Sequence, residues 1–455
     1  MIRFATKALE KWLKDRRRKP MVLRGARQVG KTWLVRDLAQ KQNLNLVELN
    51  FEQSPNLMDL FTRNDPQEII KNIKAELAIS FDPETSLLFL DEIQATPELL
   101  AKLRWFKEKM PELPVIAAGS LLEFAIQEQQ FSMPVGRVTY FYLEQMSFTE
   151  FVYASGNMAL YERLDSIGFQ SRIPESLHEK YLDLYYNYCL IGGMPEVVEQ
   201  WIESKDLPSC MKIQQDLLTT FRDDFHKYGG KLAAVLLARL MLSVSEQLGN
   251  KFVYSRVDPS VSAARLKGAL NMLSQARVFT RVLHTSGNGL PLGAESNEKI
   301  FKMIFLDVGL VSAQLGLSML RLSEAKKAVF SNKGGLTEQF IGQQLRSLGT
   351  PQIDPRLYHW QRTGGRLGEV DYIVQHGDRI VPVEVKAGSA GKMKSLHQFM
   401  ADKKLDLAVR CYTGQPSTDY LSLKTTQGDP VSYQLVSIPH YLVERLPALL
   451  GICLQ

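Results

Sequence analysis

The chain has 455 residues, of which 45% are apolar and 23% charged, with a formal net charge of +6. This is ordinary globular composition, which excludes a disordered, collagen-like or fibrous chain, and the length suits about three domains. No apolar run reaches the roughly 18 residues that span a bilayer, and the first residues lack the apolar core of a secretory signal. A glycine motif at Gly25 leaves little room for a cleaved leader, so a cytoplasmic location with no membrane partner is expected. Residues 1–20 hold eight basic and two acidic side chains, the whole of the excess charge. The basic run from Lys14 to Lys19 reads as a solvated helix end or as a phosphate-contacting patch. Cys189, Cys210, Cys411 and Cys453 have no CxxC spacing, which supports neither a zinc knuckle nor a disulfide framework and suits a reducing compartment.

In chain order, strands are predicted at 21–24, 46–51, 87–90, 114–118 and 138–143. Helices are predicted between them at 31–41, 66–79 and 97–110. Short apolar strands alternating with helices predict a parallel sheet covered on both faces. The polar loop 127–137 is a candidate mobile active-site segment. Residues 148–222 turn helical and tyrosine-rich, with a break at Gly192-Gly193-Met194-Pro195. Three helical stretches and two strands, 279–284 and 300–305, follow between 232 and 311. They predict a winged helix with 263–274 as its recognition helix and Arg265 and Lys267 toward phosphates, or else a linker or protein-binding module. The last segment opens with a helix at 336–348. Strands follow at 357–361, 369–375, 379–386 and 407–412.

Residues 25–32 read GARQVGKT, a complete GxxxxGK[ST] pattern set between a strand and a helix. Gly25 and Gly30 free the backbone to turn. The N–H groups of Ala26, Arg27, Gln28 and Val29 then face phosphate oxygens, and the helix start adds its partial positive charge. Lys31 reaches the terminal phosphates and Thr32 ligates Mg²⁺. The apolar run 87–90 ends in Asp91-Glu92. Asp91 is placed to hold the Mg²⁺ through water, and Glu92 to polarise the attacking water. A third strand ends in Gly119-Ser120, which puts the Ser120 hydroxyl beside the Asp91 strand as a sensor of the terminal phosphate. ATP and Mg²⁺ are the expected cofactors.

Through Gly25–Thr32, 87–92 and Ser120, residues 1–150 resemble the additional-strand, AAA-type P-loop ATPases. More narrowly, LRGARQVGKT, LLFLDEIQ, AAGSLLEF, PVGRV, SFTEF and GGMPEVV resemble a prokaryotic family of ATP-binding proteins. That family joins such an ATPase to a C-terminal domain related to PD-(D/E)XK nucleases. The resemblance implies that Arg137, of the Gly136-Arg137 pair, contacts a neighbouring subunit's nucleotide. A homo-oligomer is thereby implied, while a structural ion pair and a monomer stay open.

A second constellation lies at Glu369-Val370-Asp371 and Glu384-Val385-Lys386, with Glu338 on the preceding helix. Residues i and i+2 of a strand share a face, and the turn His376-Gly377-Asp378 predicts an antiparallel hairpin that brings Asp371 to Glu384. Carboxylates converging beside an ammonium make a Mg²⁺ site for phosphodiester hydrolysis, so Asp371, Glu384 and Lys386 are candidate catalytic residues and Glu338, Asp371 and Glu384 candidate metal ligands. The pattern resembles the PD-(D/E)XK fold, with Val370-Asp371 where the Pro-Asp pair would stand. Arg356, Arg362, Arg366, Lys392, Lys394, Lys403 and Lys404 are candidate contacts to a DNA backbone, and the resemblance places Gln398 nearby.

The expected fold class is α/β. An AAA-type P-loop domain spans 1–150, a helical linker or lid 151–229, a winged-helix-like domain 230–329 and a restriction-endonuclease-like domain 330–455. The expected function is a Mg²⁺-dependent ATPase coupled to a nuclease-like, DNA-binding domain. The other reading is a nucleotide-regulated switch whose inactive nuclease-like domain binds a protein.

Overall fold

A computed structural model describes residues 2–453 except 121, 123–135, 169–171, 318, 319, 321, 332, 333, 363–367 and 390, with backbone alone at 224–234, 328–331, 452 and 453. Residues 127–135 of the expected mobile loop, and Arg366, lie outside the described residues. The chain divides into two compact units. One holds residues 1–145 with 275–278 and 349–354; the other holds 146–274, 279–348 and 355–455.

The first unit is built on a five-stranded sheet. Strands β1 (Met21–Arg24), β2 (Asn45–Asn50), β3 (Ser86–Asp91), β4 (Val115–Ala118) and β5 (Thr139–Tyr142) lie in the order β2-β3-β4-β1-β5. Every pairing is parallel. β4 therefore stands between β1 and β3, the additional strand that the sequence resemblance implies. Every residue of β3 and β4 is buried, as strands covered on both faces require. Val22, Leu88, Leu90 and Ala117 pack with Leu99, Leu103 and Phe106 of helix Leu99–Lys109. Each large side chain so buried contributes about 1.5–3 kcal/mol relative to exposure.

The second unit combines helices with an eight-stranded mixed sheet. Its strands are β6 (Phe279–Thr285), β7 (Ser296–Phe305), β8 (Leu357–Gln361), β9 (Glu369–His376), β10 (Arg379–Val385), β11 (Leu407–Tyr412), β12 (Ser417–Lys424) and β13 (Pro430–Pro439), in the order β12-β13-β11-β10-β9-β8-β6-β7. The hairpin expected to be a wing instead extends this sheet, because β6 pairs in parallel with β8. That pairing satisfies the backbone donors and acceptors along β8 that a separate winged helix would have left open. The expected boundary at 329/330 thus separates strands of one sheet. The boundary expected at 229/230 falls within a single helix, Leu207–Glu246, which starts at Asp206, whose carboxylate accepts from Ser209 N at 2.9 Å. β12 and β13 are absent from the sequence prediction. The β9–β10 hairpin is antiparallel as predicted, with Gly377 at φ +60° in its turn.

The GGMP break is organised around Asp307, which is fully buried. Its carboxylate accepts from Gly193 N at 2.6 Å, Gly309 N at 2.9 Å and Gln343 Nε2 at 3.2 Å. A Cβ on Gly192, which lies at φ +79°, would sit 1.8 Å from Asp307 Oδ1, so only glycine fits there. Burial pushes the Asp307 carboxyl up to about 6, against the opposing pull of its N–H donors. A carboxyl raised in the folded state stabilises most while protonated. Folding should therefore weaken as pH rises from about 4, the ordinary carboxylate value, to about 6. Asp307→Asn should lower the melting temperature at every pH and flatten that part of the profile in thermal unfolding. An unchanged profile would contradict this assignment.

Candidate functional site

The glycine motif forms a turn between β1 and helix Lys31–Lys41, with Gln28 at φ +61° and Gly30 at φ +91°. No side chain caps the helix start and no acid lies in its first turn, so its N–H groups remain available to an anion. The back of the loop is tightly held. A Cβ on Gly25 would lie 2.5 Å from Leu143 O. Buried Arg3 donates from Nη1 to Val29 O and from Nη2 to Glu144 O, both at 2.6 Å. Ala26 and Val29 are buried, while Arg27 is half-buried. Lys31 Nζ donates to Gly25 O at 3.1 Å and Ala26 O at 2.8 Å, folded over the loop that the phosphates would fill.

The strand ends complete the site. The Thr32 hydroxyl donates to Asp91 Oδ2 at 3.0 Å, which links the start of the helix to the end of β3. Burial raises the Asp91 carboxyl, the Thr32 bond opposes this, and neighbouring Glu92 adds to the rise. Glu92 follows at φ +51°, a conformation costing an L-residue about 1–2 kcal/mol. Its carboxylate accepts from Gln94 Nε2 at 2.5 Å. Gln94 in turn is wedged against the end of β4, where a Cβ on Gly119 would meet Gln94 Oε1 at 2.4 Å. Ser120, just past β4, has a buried Oγ with no hydrogen-bond partner among the described residues. A buried hydroxyl of this kind could donate to a phosphate oxygen. A hydroxyl, a carboxylate and a buried orphan oxygen around an uncapped helix start fit a nucleotide with Mg²⁺. Thr32 and Asp91 are the residues that would hold the ion. Arg137 pairs with Glu108 at 3.1 Å, a carboxylate it shares with Arg104, and its side chain is 47% exposed.

Arg3 and Gln94 are not among the residues predicted from sequence. Gln94 stands within the LLFLDEIQ string two places after Glu92, but nothing in its type announced a contact to Glu92. Arg3 was one of eight basic residues counted among the first twenty, and its type announced no contact.

In the second unit the structure brings Glu338, Asp371, Glu384 and Lys386 into one charged cluster. Val385 N donates to Asp371 Oδ2 at 2.8 Å, and Lys386 Nζ donates to Glu384 Oε1 at 2.6 Å. Glu384 Oε2 is buried without a partner among the described residues. Burial and the neighbouring Asp371 both push the Glu338 and Glu384 carboxyls up. The residue sequence reasoning missed is Lys302 of β7. Its ammonium pairs with Glu338 at 2.9 Å, Asp371 at 3.4 Å and also Glu369. Burial pulls this ammonium down, and Glu338 and Asp371 outweigh it, so its net shift is upward. Among the described residues no three His, Cys, Asp or Glu side chains stand ready to enclose a metal ion. With an ammonium already shared by three carboxylates, the cluster as arranged does not fit the Mg²⁺ expected at Glu338, Asp371 and Glu384.

A cavity of about 240 Å³ beside β8 and β9 is lined by Trp360, Arg362, Lys394, Ser395, Gln398 and Gln427. Arg362 is tied to Asp402 at 3.0 Å, and Gln398 to Asp402 at 2.8 Å and Asp429 at 3.0 Å. No helix among the described residues is long and apolar enough to cross a membrane. Cys189, Cys210 and Cys411 are buried free thiols.

Comparison with known proteins adds three family matches. Residues 17–152 match a family described as AAA domain, 182–321 a domain of unknown function (DUF8612) and 333–440 a second domain of unknown function (DUF4143). No curated protein matches the chain. Among solved structures, the chain is similar to the ORC2 protein of Aeropyrum pernix, at 11% identity and a TM-score of 0.32, over 72% of this chain and 94% of that one. It is also similar to the RuvB Holliday junction branch migration motor of Thermotoga maritima, at 16% identity and a TM-score of 0.29, over 61% and 88%. A third, PCH-2 of C. elegans, aligns at 16% identity and a TM-score of 0.26, over 46% and 63%. These likenesses are too weak to assign anything. With the AAA family match and the loop geometry together, residues 17–152 form an ATPase-like AAA domain of the P-loop type.

Proposed function

We propose that the chain is a Mg²⁺-dependent ATPase whose nucleotide state governs a C-terminal nuclease-like domain that binds nucleic acid. The observation that carries the ATPase reading is the Thr32–Asp91 hydrogen bond, because it sets a helix-start hydroxyl and a strand-end carboxylate where one cation would meet both. Bound Mg²⁺ would neutralise charge on the phosphates. Lys31 would leave the carbonyls of Gly25 and Ala26 for phosphate oxygens, Glu92 would orient the attacking water, and Ser120 would sense the terminal phosphate.

The C-terminal reading is supported by the convergence of Glu338, Asp371, Glu384 and Lys386, and by the cavity in which Trp360 lies beside two cationic side chains. An aromatic face offers stacking to a base and the cations attract phosphate. Binding without cleavage is favoured over cutting by the ion pairs that Lys302 makes. The test is steady-state ATP turnover by the purified chain, with and without DNA, beside DNA binding across a salt series. Turnover that responds to DNA, with affinity falling steeply as salt rises, is expected. Turnover indifferent to DNA, with no binding at low salt, would favour the protein-partner switch instead.

A further inference from the structure

Lys302 has a position that the nuclease-like reading leaves unexplained. It is 3% exposed, lies on β7 and shares its ammonium among Glu338, Glu369 and Asp371. Its N–H groups donate to Glu338 Oε2 at 2.9 Å and Asp371 Oδ1 at 3.4 Å, and Glu369 adds a third carboxylate as an ion-pair partner. Asp371 turns its second oxygen to Val385 N, and Glu384 gives one oxygen to Lys386. A Mg²⁺ ion demands about six oxygen ligands near 2.1 Å in octahedral array, and here the carboxylates already face an internal cation. A tethered charge of this kind cannot be removed by dilution or by a chelator. Breaking such a buried set by deleting one partner is far costlier than forming it is rewarding, which locks the lysine in place.

We propose that Lys302 is a built-in cation that replaces the divalent metal in the C-terminal acidic cluster. The cluster is then a metal-independent site, and the domain recognises its nucleic acid without hydrolysing it. This deepens the nuclease-like reading of the C-terminal domain and is independent of the ATPase. Glu384 lies outside the reach of Lys302: one of its oxygens accepts from Lys386, and the other is buried without a partner among the described residues. The neighbouring His284 and His359 do not supply an alternative metal site. They meet edge to face at 5.9 Å, and no three His, Cys, Asp or Glu side chains among the described residues are grouped to enclose an ion.

The experiment is Mn²⁺ titration of the full-length, nucleotide-free protein, read by the loss of the free-ion electron paramagnetic resonance signal. Wild type should take up no ion attributable to this cluster, so Asp371→Asn should leave its isotherm unchanged. Lys302→Met should gain one Mn²⁺ per chain, and adding Asp371→Asn to that variant should abolish the gain. One Mn²⁺ bound by wild type and lost in Asp371→Asn would overturn the proposal. A folded Lys302→Met protein that gains no ion would overturn it as well. Should Lys302→Met fail to fold, the wild-type comparison decides alone. DNA binding measured on the same preparations reports separately on the nucleic-acid reading: its absence, with the Mn²⁺ results as expected, would remove that reading and leave Lys302 in its role.

Discussion

Lys31→Ala should abolish ATP turnover and reduce nucleotide affinity by roughly 30- to 5,000-fold, the equivalent of about 2–5 kcal/mol for truncating one partner of a desolvated charge pair. Lys31 is largely buried and its Nζ already lies over the loop, bonded to Gly25 O and Ala26 O. Exchanging two neutral carbonyls for phosphate oxygens converts ordinary hydrogen bonds into charge-assisted ones, which are about twice as strong. The substitution removes a side chain that helps to close the loop, while the fold behind it is kept by Arg3 and Gly25. The melting temperature of the nucleotide-free variant should therefore stay close to wild type. Fluorescent-nucleotide titration alongside phosphate release checks both halves, and affinity within threefold of wild type would contradict the role given to Lys31.

Glu92→Gln should separate binding from chemistry. Orienting and deprotonating water by a positioned carboxylate is worth roughly 10²- to 10⁴-fold in rate. The variant should bind ATP as tightly as wild type and turn it over slower by that factor. Glutamine keeps the volume of Glu92 and can still meet Gln94, so the strained φ of +51° has no reason to relax. Pre-steady-state phosphate release is the appropriate measurement. Turnover within tenfold of wild type would remove Glu92 as the water-orienting group and direct attention to Gln94 and Ser120.

The first unit is largely legible in the sequence, and the reason is local. β1 and the helix Lys31–Lys41 end at the residues the sequence named, because Gly25 and Gly30 punctuate them and strands buried on both faces read as unbroken apolar runs. Asp91 and Ser120 sit at the ends of adjacent strands for the same reason: the additional strand β4 is short, apolar and closed by Gly119. Gln94 and Arg3 escaped because their work is done by contacts across 2 and 141 positions that no periodicity encodes.

The second unit was less legible. The boundary expected at 229/230 lies inside a 40-residue helix that runs through two adjacent glycines. β12 is a mostly exposed edge strand, with polar residues on much of its length, so it lacks a continuous apolar signature. β7 looked like a wing because its partner β6 precedes it by one turn, whereas its place in the sheet is set by the parallel pairing of β6 with β8 some 75 residues later. That long-range pairing is what carries Lys302 to the acids. The Asp371, Glu384 and Lys386 spacing could be read from a hairpin, but the ammonium that pairs with Asp371, Glu338 and Glu369 came from outside it.

ATP turnover as proposed requires a nucleotide seated in the loop between β1 and helix Lys31–Lys41. Isothermal titration calorimetry of the purified chain with a slowly hydrolysed ATP analogue and Mg²⁺ tests this most directly. A single saturable site, strengthened by Mg²⁺ and lost in Lys31→Ala, is the predicted result. No heat and no saturation at any analogue concentration, with the chain folded by circular dichroism, would contradict it.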